Sequence, residues 1–263
     1  IPGLHLCRPG RARPLDRGAL RARQWRRALA AHAPPGHYTA EVFTILARAH
    51  GIALDLGDPW PGQPQGTVLV EHASRDLSSL LGDMLRWSTN LTAEVVGLSA
   101  TRARGTNPGS LSASGAAMAS WLGTTAGTSR AEFVDHSGLG DRSRMTAADM
   151  VRALVAAGPE GQLRGLMKDI PVRDERGRPL DRQPFSVVAK TGTLNFVSGL
   201  AGYLRTPGGR NLVFAIFSAD MDRRNALTTR AQRDRPQGAR GWTGRARTLQ
   251  NALLKRWAAA YDA

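Results

Sequence analysis

The chain has 263 residues, 41% of them apolar, enough for one large domain or two small ones around a buried core. Its net charge of +15 arises from 36 basic against 21 acidic side chains, and 33 of the basic ones are arginines spread along the chain. That spread reads as a solvated surface, congenial to an anionic polymer, rather than as a concentrated nucleic-acid patch. Cys7 stands alone, which excludes an intrachain disulfide, a thiol redox pair and a cysteine zinc site. No histidine pair has ligand spacing, and no run reaches the ~18 apolar residues of a membrane helix.

Residues 1–14 carry Arg, Pro and Gly without a period and are expected to be disordered. Ile1 leads straight into arginine-rich sequence with no signal-peptide pattern, so the chain is expected to be the later part of a longer protein. Asp16 can cap a helix running to His32. A second helix is predicted over 39–50, with Thr39 as cap, Val42, Phe43, Leu46 and Ala47 as its apolar face, and Gly51 as its stop. The Pro/Gly-rich stretch 58–66 reads as a linker between an accessory segment, 1–57, and the main domain, 67–263.

Within that domain, Thr67–His72 is predicted as a short strand. Ser74 or Asp76 then opens a helix with Leu77, Leu80, Leu81, Met84 and Leu85 on one face. Ser88-Thr89-Asn90 follows at once, before a helix with Leu91, Val95 and Leu98 inward. Taken alone, Ser88 and Asn90 read as capping residues. A helix over Ser112–Leu122 and a strand over Glu132–Val134 come next. Asp135-His136-Ser137 cannot be a triad, because neighbours in extended chain point to opposite faces; with Gly138 and Gly140 the segment reads as a tight turn. Thr146 and Asp149 form a capping-box pattern for a helix ending near Ala157, with Gly158 beyond it.

Phe185–Ala219 organises the rest. Val187–Leu194 and Ser198–Thr206 read as strands, Pro207-Gly208-Gly209 as a turn, and Asn211–Ala219 as a third strand that is almost wholly apolar. Lys190 in mid-strand and Gly192 two residues on suit an edge strand that offers a cation, the hydroxyls of Thr191 and Thr193, and bare backbone to something extended and anionic. Asp222–Gly241 reads as a polar loop or short helix. Thr243–Tyr261 is predicted as an amphipathic helix, with Leu249, Leu253 and Trp257 in line, covering one face of the sheet.

Ser88-Thr89-Asn90 and Lys190-Thr191-Gly192-Thr193 together match the Ser-x-Asn and Lys-Thr-Gly motifs of penicillin-recognising serine enzymes. With the phrases LLGDMLRWSTNLTAEVVG, FVDHSGLGDRSRMTAADMV and VAKTGTLNFVSGLAGYL, the chain resembles the low-molecular-mass class C penicillin-binding proteins, serine-type D-alanyl-D-alanine carboxypeptidases and endopeptidases. The resemblance implies an α/β (α+β) architecture: part of a β-lactamase/transpeptidase-like fold, an antiparallel sheet covered by helices, with a helical cluster carrying Ser-x-Asn. It implies peptidoglycan D-Ala-D-Ala stem peptides as substrate, periplasmic action, and no cofactor, metal or nucleic acid.

By the same resemblance, Ser88 passes a proton to the leaving amine and hydrogen-bonds Lys190, while Asn90 donates its amide to the substrate. Lys190, Thr191 and Thr193 receive the terminal carboxylate, Gly192 admits the substrate backbone, and Ser137 stands behind them on a DGSGL-type turn. The chain departs from the family at the nucleophile. Three residues before Lys168, Lys190 and Lys255 stand Gly165, Val187 and Ala252, so no Ser-x-x-Lys occurs. The chain alone is therefore expected to be inactive and to bind β-lactams covalently only with that motif supplied. A non-catalytic wall-binding relic and a basic nucleic-acid-binding protein are the alternatives. The third strand is expected to present an exposed edge.

Overall fold

The computed structural model describes residues 35–262 apart from 59–60, 63–65, 69, 230–231, 233 and 235. The expected disordered tail and the helix predicted from Asp16 to His32 lie outside the described residues. The chain divides into two compact units, 1–73 and 74–263. In the first, helix α1 spans Pro35–Ala49, four residues longer at its start than predicted, because proline's fixed φ suits a first helical turn. Gly51, at φ +79°, stops it. Phe43 and Leu46 are exposed. The strand predicted at Thr67–His72 is not found among the described residues: Val68 and Val70 are exposed, and no described neighbour takes up their ladder hydrogen bonds.

The second unit is a mixed α/β structure built on a four-stranded antiparallel sheet. Its helices are α2 (Leu77–Trp87), α3 (Asn90–Ala103), α4 (Leu111–Ala126), α5 (Ala147–Ala157), α6 (Gln162–Leu166), α7 (Met221–Asn225) and α8 (Ala239–Ala260). The strands are β1 (Lys168–Asp169), β2 (Ser186–Leu194), β3 (Val197–Arg205) and β4 (Asn211–Ala219), in spatial order β1-β2-β3-β4. Residues Asn195 and Phe196 alone join β2 to β3, since Leu194 pairs with Val197. Phe196 takes φ +58° there, and its buried ring packs edge-on against Trp242 at 6.3 Å.

The register sorts side chains onto two faces. Val187 and Ala189 stand opposite Leu204 and Gly202, and these with Leu200, Phe214 and Ile216 form a core against Leu254 and Ala258 of α8. The other face carries Val188, Ala201, Tyr203, Val213 and Ala215 against Met150 and Leu154 of α5 and Leu163 of α6. Tyr203 is fully buried there and donates its hydroxyl to Leu154 O at 2.9 Å. Lys190 belongs by alternation to this second face, the side on which the helical cluster lies. Among the described residues β4 forms the far edge of the sheet.

Three helix faces depart from prediction. On α3, Leu91 and Val95 are exposed; the face turned inward carries Glu94, Gly97 and Thr101, because it receives a polar turn rather than an apolar partner. On α2, Leu77 is exposed at the first turn. On α8, Leu253 and Trp257 pack against the core as predicted, but Leu249 and Tyr261 are exposed, and the fully buried line is Ala246, Gln250, Leu254 and Ala258. Gln250 reaches Ser198 Oγ at 3.1 Å. Glu132 forms only an isolated bridge, to Arg144, in place of the short strand.

Asp149 anchors the α4–α5 region. Its nitrogen bonds Thr146 Oγ1 as the capping pattern predicts, while its buried carboxylate accepts from Ser129 N, Arg130 N and Arg152 Nη1. Burial pushes this carboxyl up, but the N–H groups of Arg130 and Ser129, the Thr146 hydroxyl and Arg152 outweigh it and hold it below the ordinary value. The stability it contributes is present above about pH 4 and is lost as the pH falls through the lowered value. Acid unfolding followed by circular dichroism should show Asp149→Asn less stable than the parent at neutral pH, with a shallower loss below pH about 4.

Candidate active site

Three elements converge on one corner. Helix α2 ends at Ser88, which takes the left-handed conformation at φ 55°, ψ 50°, and α3 begins two residues later at Asn90 with Thr89 as its cap. The abrupt reversal leaves the Ser88 hydroxyl facing β2, where Lys190 Nζ donates to Ser88 Oγ at 2.5 Å. The same ammonium donates to Thr191 O at 2.7 Å, so the lysine head lies at the strand edge. Burial, then the nearby charge of Lys168, pulls the Lys190 pKa below its ordinary 10.5. A second cation beside a half-buried one makes the corner a receptor for an anion.

A serine in the left-handed region costs roughly 1 kcal/mol that glycine would avoid. Ser88→Ala and Ser88→Gly both delete the hydroxyl and differ in that cost. Urea denaturation should find the glycine variant more stable than the alanine one by about 1 kcal/mol.

Among the described residues the outer edge of β2 is covered only in part. β1 pairs with Val188 and Ala189 and goes no further. Ile170 N donates to Val187 O at 2.9 Å, so the odd-numbered residues of β2 turn their backbone groups outward. Thr191 and Thr193 continue that set past the end of β1. Their N–H groups point to the open edge, their side chains stand on the α8 side in register with Leu200 and Ser198, and both residues are exposed. Gly192 shares the Lys190 side, and a Cβ built on it meets no described residue within 4 Å.

Below this corner, one helical turn on from Asn90, the Glu94 carboxylate accepts from His136 N and Ser137 N, each at 3.0 Å. Asp135 closes the same turn by accepting from Gly138 N, Gly140 N and Ser143 Oγ. Ser137 is thus held against α3. His136 points away from Asp135 and toward Ser114, so the three neighbours form no triad.

The structure accordingly brings Ser88 and Lys190 into contact, sets Asn90 at the start of the adjoining helix, and lays Thr191, Gly192 and Thr193 along the open edge. Sequence reasoning missed Lys168 and Glu94. Lys168 lies in a two-residue strand too short to have a period. Glu94 had a usable signal, since it stands four residues after Asn90 on the same helix side. Among the described residues no group of three or more His, Cys, Asp or Glu is placed to hold a metal, and no helix is long and apolar enough to cross a membrane.

Comparison with known proteins adds three findings. The model of the D-Ala-D-Ala carboxypeptidase 3 (S13) family matches residues 18–238. The carboxypeptidase DacB of Mycolicibacterium smegmatis is 32% identical over 185 residues, 66% of this chain and 40% of the relative; a carboxypeptidase of Mycobacterium tuberculosis is 33% identical over 199 residues, 69% and 42%. The chain thus spans about two fifths of the length of these relatives. Penicillin binding protein 4 of Haemophilus influenzae superposes with a TM-score of 0.59 at 21% identity, over 85% of this chain and 50% of that one, a likeness of fold.

Proposed function

Because the chain belongs to the D-Ala-D-Ala carboxypeptidase 3 (S13) family, we propose that its Ser88–Lys190 corner is the carboxylate-receiving half of a serine-type D-Ala-D-Ala carboxypeptidase/endopeptidase site. The substrate is a peptidoglycan stem peptide and the place of action the periplasm. The observation that carries this reading is the 2.5 Å contact between Lys190 Nζ and Ser88 Oγ beside an open strand edge. An extended peptide can add to that edge as a further strand, its backbone paired with Thr191 and Thr193 and its terminal carboxylate drawn to Lys190. The Thr191 and Thr193 hydroxyls lie beside the edge, and Asn90 adds an amide donor.

Acyl transfer by such a site requires a serine made nucleophilic by an adjacent base. Ser88 stands next to an ammonium, which is suited to relaying a proton to a leaving amine rather than to attack. In the family pattern the attacking serine belongs to Ser-x-x-Lys, which this sequence does not contain. The Thr193 N–H supplies one oxyanion donor, and the second comes with that serine. The chain on its own therefore binds without acylating. Incubated with a labelled penicillin and weighed intact, it should show no added mass; a covalent adduct would mean that another serine serves as nucleophile and would overturn this division of roles.

A further inference from the structure

His136 sits in the Asp135–Gly140 turn, and the space for its ring comes from Gly97. A Cβ at Gly97 would land on the Cγ, Cδ2 and Nδ1 atoms of the imidazole. On its other side the ring meets a chain of hydroxyls: His136 Nε2 lies 2.8 Å from Ser114 Oγ, which lies 2.7 Å from Thr101 Oγ1, and Thr101 Oγ1 donates to Gly97 O at 3.0 Å. Each hydroxyl owns one hydrogen. With the Thr101 hydrogen on Gly97 O, Ser114 donates to Thr101 and accepts from His136, whose proton then sits on Nε2; with that hydrogen on Ser114, Ser114 donates to His136, whose proton then sits on Nδ1. Nδ1 favours the first arrangement, being buried without a hydrogen-bond partner among the described residues, a place tolerable for a lone pair and costly for an N–H. Ser114 is fully buried and Thr101 nearly so, which shuts water out of the relay.

We propose that His136 is a positioning residue: as the Nε2–H tautomer it pins the Asp135–Gly140 turn to α3 and α4, and so fixes the Glu94 bonds to residues 136 and 137 directly below Asn90. Its bearing on a ligand rests on the Ser88–Lys190 corner being a peptide pocket. The tests need no ligand, so the two readings fail separately.

Long-range proton–nitrogen correlation spectra of the whole chain should show His136 protonated at Nε2 and bare at Nδ1; the opposite tautomer, or an imidazolium at neutral pH, overturns the assignment. His136→Phe keeps a ring but cannot donate, and should speed hydrogen exchange of the residue 136 and Ser137 amides about tenfold or more. His136→Gln, whose side-chain amide can donate from a similar place, should restore most of that protection. Unchanged exchange in the phenylalanine variant, or no rescue by glutamine, contradicts the positioning role. If His136→Phe does not fold, the Gly97 pair decides: Gly97→Ala should destabilise the parent strongly and the His136→Gly background much less, and additive losses would sink the proposal.

Discussion

Gly202→Ala is expected to lower stability by about 3 kcal/mol or more, the upper end for an overpacked core. Gly202 lies in the middle of β3 opposite Ala189, and an added Cβ would overlap Val188 O and approach Ala189 Cα to 2.6 Å. Both obstacles involve backbone, which cannot swing aside as a side chain can, so β2 itself must move. The displaced segment ends one residue before Lys190. The same substitution should therefore also loosen the Lys190–Ser88 contact, visible as a changed Ser88 amide environment. Gly199→Ala is the control: its nearest neighbour would be Phe217 Cδ1 at 3.5 Å, an ordinary contact, and its cost should be small. Urea midpoints of the two variants check the difference.

Lys190→Ala should weaken binding of an acyl-D-Ala-D-Ala peptide about ten- to a hundredfold, the loss expected when a charged hydrogen-bond partner is removed. The peptide's carboxylate needs the ammonium form. With the Lys190 pKa depressed by burial and by Lys168, binding should hold at neutral pH and fall as the pH rises through that lowered value, below the 10.5 of an ordinary lysine. Lys168→Gln should shift the decline toward higher pH, because it removes the repelling charge. Calorimetric titration at several pH values reads both effects.

Much of this corner is legible from residue order. Two short motifs 102 positions apart point to one pocket, and the structure joins them at Ser88 and Lys190. The three long strands are readable because their β-branched runs end at strong turn signals: Asn211–Ala219 is as predicted, and the other two differ by one residue at their ends. What escapes is set by tertiary packing. The inward face of α3 is polar because it carries the Asp135–Gly140 turn, whereas an apolar-period rule selects Leu91 and Val95. Helix α8 packs Leu253, Leu254 and Trp257 against the core, but its fully buried line also takes in Ala246, Gln250 and Ala258, which an apolar-period rule passes over. Thr67–His72 carries a Val-Leu-Val run of strand-forming residues, yet no described strand pairs with it.

If the bare edge at Thr191–Thr193, with Lys190 and Ser88 at its head, receives a D-Ala-D-Ala terminus, a small peptide should find it. Amide resonances of the chain followed during titration with N-acetyl-D-Ala-D-Ala test this most directly. The largest shifts are expected at Thr191, Thr193 and Ser88, and they should disappear in Lys190→Ala. Shifts centred elsewhere on the sheet, or shifts at the edge that survive loss of Lys190, would contradict it.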